Sequence, residues 1–285
     1  MNKGFKTMMI VMLYLIIYYF SNIITVLTAG LIFFLKQSSN IPEEGITTEI
    51  LVDNVQLFYF SNLNIFIVIT ALVALSIYWV GFKIKRRSFS KYINFSKISL
   101  KYVGICSLLG VAISLSLTSF LTLTSVHELF PDHSEVVDTI IGKQHYLISL
   151  VTVGIVVPIF EEILYRGLIF NKLRNNLNIH FSIFVQALIF GVVHGNQLQM
   201  IYTFFGGIIL VSSYIWMKSI WAPILIHIFW NITGVTVSWV NITGQLSYVG
   251  LLIISIATIV FTINYLSKNR KPDDDDELKY SIDDI

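Results

Sequence analysis

The sequence has little charge and almost no cysteine. Only 13% of its 285 residues are charged, and 55% are hydrophobic, with a mean hydropathy of +0.75. Soluble domains carry about 25% charged residues. Because Cys106 is the single cysteine, no internal disulfide can form. It lies in an apolar run, where a cysteine behaves as a small hydrophobic residue. This composition excludes an ordinary soluble domain and predicts an all-α, polytopic membrane protein.

Three sequence patterns are also absent. No small-residue cleavage site follows the first apolar run, 8–35, which is far longer than the roughly 7–15-residue apolar region of a signal peptide. We therefore expect that run to be retained as a membrane span. No internal repeat is visible, and no His-Glu-x-x-His motif is present to favour a zinc protease.

Eight apolar stretches are each long enough to cross a hydrocarbon core of roughly 30 Å. They cover about 8–35, 57–82, 102–124, 146–170, 179–196, 198–217, 220–240 and 246–266. The fifth and sixth should form a tight helical hairpin. We predict one bundle of about eight transmembrane helices over residues 1–267, with an acidic, disordered cytoplasmic tail at 268–285.

The basic residues are distributed unevenly between the connecting loops. Of the 19 lysines and arginines, 16 fall before the first span, in alternate loops or in the tail, and the loop 83–101 alone holds seven with no acid. Loops 36–56 and 125–145 are acidic instead. By the positive-inside rule, both termini are predicted to be cytoplasmic.

The fourth span contains charges at mid-membrane depth. The segment 157–167 holds Glu161, Glu162 and Arg166 in an otherwise apolar run. Three such charges cost about +8 to +10 kcal/mol, against roughly −5 to −9 kcal/mol from the apolar residues. The span should be stable only if these charges pair or face a polar cavity, which makes them candidate site residues.

The spacing assigns different surroundings to the two glutamates. Glu162 and Arg166 are four residues apart and share a helix face, so they can pair. Glu161 is rotated by about 100° and remains available. Pro158 cannot donate to the carbonyl of Gly154 and should kink the span beside them. A structural ion pair that locks two helices would explain Glu162 and Arg166 equally well.

Two further spans contribute polar side chains. Phe190-x-x-x-His194 ends the fifth span, and His227-x-x-x-Asn231 lies within the seventh, with His227 and Asn231 on one face. A buried imidazole and amide must both find partners. A carboxylate and an imidazole can deprotonate a water, and an amide and a second imidazole can stabilise an oxyanion, as hydrolysis requires. Glu161, His194 and His227 could instead hold zinc in an open three-ligand site, and the spacing leaves both readings open.

In this order, the three motifs Glu161-Glu162-x-x-x-Arg166, Phe190-x-x-x-His194 and His227-x-x-x-Asn231 resemble those of the CPBP intramembrane protease family, the CAAX-protease and bacteriocin-processing (Abi) group. The resemblance covers about 146–240. It implies peptide-bond hydrolysis in an eight-helix bundle, with Glu161 as general base, His194 positioning the water, and His227 and Asn231 at the oxyanion. It implies supporting roles for Glu162 and Arg166, and no cofactor beyond a zinc ion whose presence it leaves open.

The resemblance also implies the partners. They are the lipid bilayer and a membrane-associated peptide or protein, such as a bacteriocin precursor or a signal-peptide remnant, and no nucleic acid. A role in self-immunity to a bacteriocin is the family's other suggestion. The Ile-, Asn- and Lys-rich composition is typical of an AT-rich bacterium, so we expect a multi-pass protein of a bacterial cell membrane.

Two other functions use the same residues. A non-catalytic scaffold or immunity regulator would use the polar network for helix packing alone. A proton-coupled transporter would use Glu161 and the histidines as a proton relay, although the sequence lacks the internal symmetry that transporters show.

Overall fold

The structure, a computed structural model, describes residues 2–37, 48–142, 145–240 and 244–272. Most of the predicted acidic tail, residues 273–285, lies outside the described residues, so its predicted disorder stays a prediction. The described residues form helices and no strand. Inside a bilayer, a helix pairs every backbone N–H and C=O within its own segment, which makes helices the natural form for these apolar runs.

The helices follow one another along the chain with short connections. They are α1 Lys3–Gln37, α2 Thr48–Ser61, α3 Leu63–Ile84, α4 Phe89–Tyr92, α5 Leu100–Thr124, α6 Pro131–Val137, α7 Tyr146–Arg174, α8 Ile179–Val192, α9 Gln197–Met217, α10 Trp221–Trp239 and α11 Gln245–Lys268. Seven of them, α1, α3, α5, α7, α9, α10 and α11, are long and apolar enough to cross a membrane. This confirms an all-α, polytopic membrane protein.

Two predicted spans differ from the observed helices. The stretch 57–82 is divided at Asn62, whose side-chain amide donates to the carbonyl of Phe58 (2.8 Å) between α2 and α3. The stretch 179–196 forms only α8, with 14 residues. At 1.5 Å per residue, α8 is about 21 Å long, short of the roughly 30 Å of a full span.

Helix α7 carries the two glutamates and packs against several other helices. It contacts α3, α8 and α10, while α5 packs against both α10 and α11. The predicted hairpin is formed by α8 and α9. It turns at Gly195, whose φ of +69° favours glycine, and at Asn196, whose side chain caps α9 by accepting from the N–H of Gln199 (3.0 Å). These contacts bring three motif-bearing helices together.

Candidate functional site

Helix α7 is irregular on both sides of Pro158. It contains π-helical stretches at Thr152–Val156 and Ile163–Phe170, which flank the α-helical turn Val157–Glu162. The N–H of Val157 bonds to the carbonyl of Thr152, five residues earlier. In that register the carbonyl of Val153 would face residue 158, and proline has no N–H to give. The wider π-helical turn thus accommodates the proline within the helix. Such π-helical turns are common at functional sites.

Asn231 supplies the hydrogen bond that the proline cannot. Its Nδ2 donates to the carbonyl oxygen of Val153 at 2.9 Å, which joins α10 to α7 just before the glutamates. One of its two amide hydrogens is therefore used structurally. The second hydrogen and the side-chain oxygen are left for other partners.

Glu162 forms the centre of a buried ion-pair network. Its Oε1 accepts from Arg166 Nη1 at 2.6 Å and from His227 Nδ1 at 2.7 Å. The side chains of Glu162 and Arg166 are both 0% exposed, and Arg166 Nη2 also reaches the carbonyl of Gly207 on α9 at 3.4 Å. The predicted pairing of Glu162 with Arg166 is confirmed. Such short, charge-assisted bonds compensate two charges that would otherwise be costly in the membrane.

These contacts also fix the state of His227. An ionised carboxylate only accepts hydrogen bonds, so the Nδ1 of His227 must carry the proton in its bond to Glu162. The opposite nitrogen, Nε2, lies 3.7 Å from Oε2 of Glu161. That distance is too long for a direct hydrogen bond, yet a water about 2.8 Å from both atoms would complete a triangle with them. Glu161 is 19% exposed at its side chain, unlike Glu162.

Phe190 packs against one charged group and two histidines of the cluster. Its ring lies 4.3 Å from the guanidinium carbon of Arg166, and its centroid is 5.9 Å from the ring of His227 and 4.9 Å from that of His194. The face of an aromatic ring attracts a cation and excludes water. Phe190 thereby places an apolar ring against Arg166 and both motif histidines.

His194 lies just beyond the end of α8, close to the same ring. Its Nδ1 is 2.6 Å from the carbonyl oxygen of Phe190. Counted from the short connection between Arg174 and Ile179, His194 and Glu161 are each roughly 20 Å along their helices, hence at similar depth. Within the described chain, His194 forms no hydrogen bond or ion pair with either glutamate.

The predicted site residues are thus assembled to different degrees. Glu161, Glu162, Arg166 and His227 form one connected cluster, whereas His194 meets it through Phe190 and Asn231 through the helix backbone. Among the described residues, no three His, Cys, Asp or Glu side chains are arranged to hold a metal ion. The arrangement therefore does not fit the three-ligand zinc site of Glu161, His194 and His227.

Sequence reasoning did not find two partners in this cluster. The carbonyl of Gly207 contacts Arg166, although glycine at 206–207 signalled only close helix packing. The residue type of Val153 also gives no indication that its carbonyl is a partner of Asn231. Only its position five residues before Pro158 indicates that this carbonyl needs another donor. Every residue has a backbone carbonyl, so the residue type does not predict which carbonyl accepts a hydrogen bond. Such partners can be identified only from the packing of the helices.

The fold and the cluster define a multi-pass membrane protein with a buried Glu-Arg-His network. Residues 143–233 match the model of the family described as type II CAAX prenyl endopeptidase Rce1-like. The chain is 30% identical over 143 residues to the "Membrane-embedded CAAX protease MroQ" of Staphylococcus aureus (strain USA300), which covers 46% of this chain and 56% of that protein. It is 32% identical over 84 residues to the "Putative membrane peptidase YdiL" of Bacillus subtilis (strain 168), covering 30% and 34%.

The matched segment contains all three motifs, from Glu161 to Asn231. The CPBP family resemblance is therefore confirmed for the part of the chain that carries them. The chain spans less than two thirds of either relative's length. No solved structure matches this chain.

Proposed function

We propose that this protein is an intramembrane endopeptidase that hydrolyses a peptide bond with a water activated by Glu161. The observation that carries the proposal is the 3.7 Å distance between Glu161 Oε2 and His227 Nε2. The other ring nitrogen of His227, Nδ1, is hydrogen-bonded to Glu162. A general base needs to lie within hydrogen-bond reach of the proton it removes. Here one carboxylate is committed to the ion pair, and the other is free for that task.

The chemistry then follows from the contacts. Water held between Glu161 and His227 Nε2 loses a proton to Glu161 and attacks the carbonyl carbon of the substrate. The tetrahedral intermediate collapses as the C–N bond breaks, and the proton passes from Glu161 to the leaving amine. We assign the second amide hydrogen of Asn231 as the donor to the oxyanion. The Nδ1 of His194 donates to the carbonyl of Phe190, so a neutral His194 has an acceptor at Nε2 and can help to position the water. Glu162 and Arg166 orient His227, which gives them the supporting roles that the resemblance implies.

The contacts favour a different task for His227 from the one the motif resemblance implies. With Nδ1 donating to Glu162, a neutral His227 has an acceptor at Nε2 and can hold the water. It could donate to an oxyanion only as an imidazolium. We therefore propose that His227 and His194 belong to the water site and that Asn231 belongs to the oxyanion site.

The substrate that fits this site is a membrane-associated peptide or protein, because Glu161 lies roughly 20 Å along α7 from Arg174. Bacteriocin or signal-peptide processing and bacteriocin self-immunity are the roles that the family resemblance suggests. We propose a bacterial cell-membrane location with both termini in the cytoplasm, as the basic residues indicate.

The test is cleavage by the purified full chain in proteoliposomes. Candidate membrane peptides are incubated with the wild type and with Glu161→Gln, and products are identified by mass spectrometry. We expect Glu161→Gln to lose cleavage by about 100-fold or more while it remains folded. The control is Glu135→Gln, which removes an exposed carboxylate outside the cluster and should cleave normally. Undiminished cleavage by folded Glu161→Gln would contradict the proposal.

A further inference from the structure

A second group of charges lies at the opposite end of α7 from Tyr146. Lys172 belongs to the last turn of α7 and is only 3% exposed. Lys6 of α1 and Lys85 and Arg87, which follow α3, are close enough to repel its positive charge. We call these four residues the basic cluster.

The backbone around the basic cluster is firmly held. The side chain of Asn171 donates to the carbonyl of Tyr92 at 2.8 Å, and the ring of Tyr92 lies 4.9 Å from that of Phe82 at the end of α3. The N–H of Arg87 donates to the carbonyl of Phe82 at 2.9 Å, which closes the turn that carries Lys85 and Arg87. Helix α1 also packs against the last turn of α7. Three helix ends therefore bring the cations together.

The basic cluster has no counter-ion among the described residues. Among the described residues, none of these four cations forms an ion pair. Burial raises the pKa of the nearby Tyr92 well above its usual value, so this phenol stays neutral. A buried ammonium among like charges is unfavourable unless an anion joins it.

We propose that the basic cluster binds the phosphate group of an anionic lipid headgroup. The cluster lies where α7 ends, on the side that the basic loops assign to the cytoplasm, and this is the depth of lipid phosphates in that leaflet. Basic pockets between membrane helices on the cytoplasmic side are a recurrent form of lipid recognition. This inference concerns a site apart from Glu161 and does not depend on the proposed protease activity.

The experiment measures thermal unfolding of the full chain in nanodiscs. The discs contain either phosphatidylcholine alone or phosphatidylcholine with added phosphatidylglycerol. For the wild type, we expect phosphatidylglycerol to raise the melting temperature by several degrees, because a ligand that binds only the folded state stabilises it. Lys172→Met should melt higher than the wild type in phosphatidylcholine, since it removes the repulsion, and should lose the response to phosphatidylglycerol.

Lys97→Gln is the matched control, because Lys97 is an exposed lysine of the same basic loop. It should keep the wild-type response. Arg87→Gln provides a second variant and should also lose the response if Lys172→Met fails to fold. Equal losses in Lys97→Gln and Lys172→Met would overturn the proposal, as would a full response in Arg87→Gln. Inorganic phosphate added to phosphatidylcholine discs separates the two sources, and stabilisation equal to that by phosphatidylglycerol would overturn the lipid assignment.

Discussion

Asn231 donates a 2.9 Å hydrogen bond to the carbonyl oxygen of Val153, the group that faces Pro158, which has no N–H, in the π-helical register of α7. The proline and the asparagine therefore complement each other across two helices. Because His227 lies one turn from Asn231 on α10, the same bond fixes the height of His227 against Glu161 and Glu162. The irregularity in α7 is thus part of how the polar cluster is assembled.

Replacing Asn231 with leucine should destabilise the protein through this bond. The partly buried Val153 carbonyl would then lose this partner, which costs up to about 1–3 kcal/mol, the range for a fully buried acceptor. We expect a lower melting temperature for Asn231→Leu in detergent, measured by intrinsic fluorescence. Ser238→Ala is the control on the same helix. Among the described residues, the Ser238 hydroxyl bonds to the Val235 carbonyl of its own helix, so this variant should melt close to the wild type.

Pro158→Ala tests the cause of that loss. An alanine at 158 restores an N–H that can serve the Val153 carbonyl, so Asn231→Leu should cost less in the Pro158→Ala background than in the wild type. A double-mutant cycle measures this coupling. Fully additive losses would show that Asn231 stabilises the helices by some contact other than the proline's missing bond.

The ion pair gives a second prediction. Arg166→Met leaves Glu162 as a fully buried carboxylate with only His227 as partner, and breaking a buried pair from one side costs about 3–5 kcal/mol. The double variant Glu162→Gln with Arg166→Met removes both charges and should recover part of that stability. Denaturant unfolding of the two variants measures the difference.

Activity should separate from stability in this pair of variants. The double variant should still cleave poorly, because His227 then faces a neutral amide, whose oxygen accepts from Nδ1 more weakly than the carboxylate does. A double variant less stable than Arg166→Met would contradict the assignment of Glu162 and Arg166 as mutually compensating charges.

The sequence predicts this fold well where the evidence is local. Long apolar runs identify the spans, and the four-residue spacing identifies the Glu162–Arg166 pair, since both depend on a single helix. The break at Asn62 and the shortness of α8 were missed, because an apolar run does not reveal where a helix ends inside it.

The candidate site is less predictable, since its contacts join distant parts of the chain. Glu162 meets His227 across 65 residues, and Asn231 meets Val153 across 78. The motifs identify the side chains of the site, but they do not predict which residues of other helices these side chains contact. The position of Phe190 among Arg166, His194 and His227 depends on how α7, α8 and α10 pack, which no spacing within one helix contains.

Phe190 provides a third prediction. Phe190→Leu keeps an apolar side chain but removes the aromatic face that lies 4.3 Å from Arg166. We expect a loss of about 0.5–2 kcal/mol in stability from the missing cation–π contact. Cleavage should fall as well, because the rings of both His194 and His227 meet Phe190 edge to face. Phe205→Leu is the control, as Phe205 is 60% exposed and faces away from the cluster, and it should match the wild type in both measurements.

Gly110 gives the last prediction, since it allows the close packing of α5 against α10. A Cβ at this position would overlap the carbonyl oxygen of Ile226 and approach the backbone nitrogen of Trp230 to 2.9 Å. Backbone atoms cannot move aside as a flexible side chain can, so Gly110→Ala should push α10 away and cost about 1–3 kcal/mol. His227 follows Ile226 directly, so cleavage should also fall.

Gly104→Ala is the matched control on the same helix. No atom lies within 4 Å of a Cβ built at Gly104, so an alanine there meets no neighbour. Alanine also loses less conformational entropy than glycine in a helix, which should stabilise the protein by about 0.5–1 kcal/mol. The two substitutions are chemically identical and lie six residues apart on α5. Opposite shifts in melting temperature would therefore locate the effect in the α5–α10 contact, whereas equal shifts would show that α10 does not depend on Gly110 for its position.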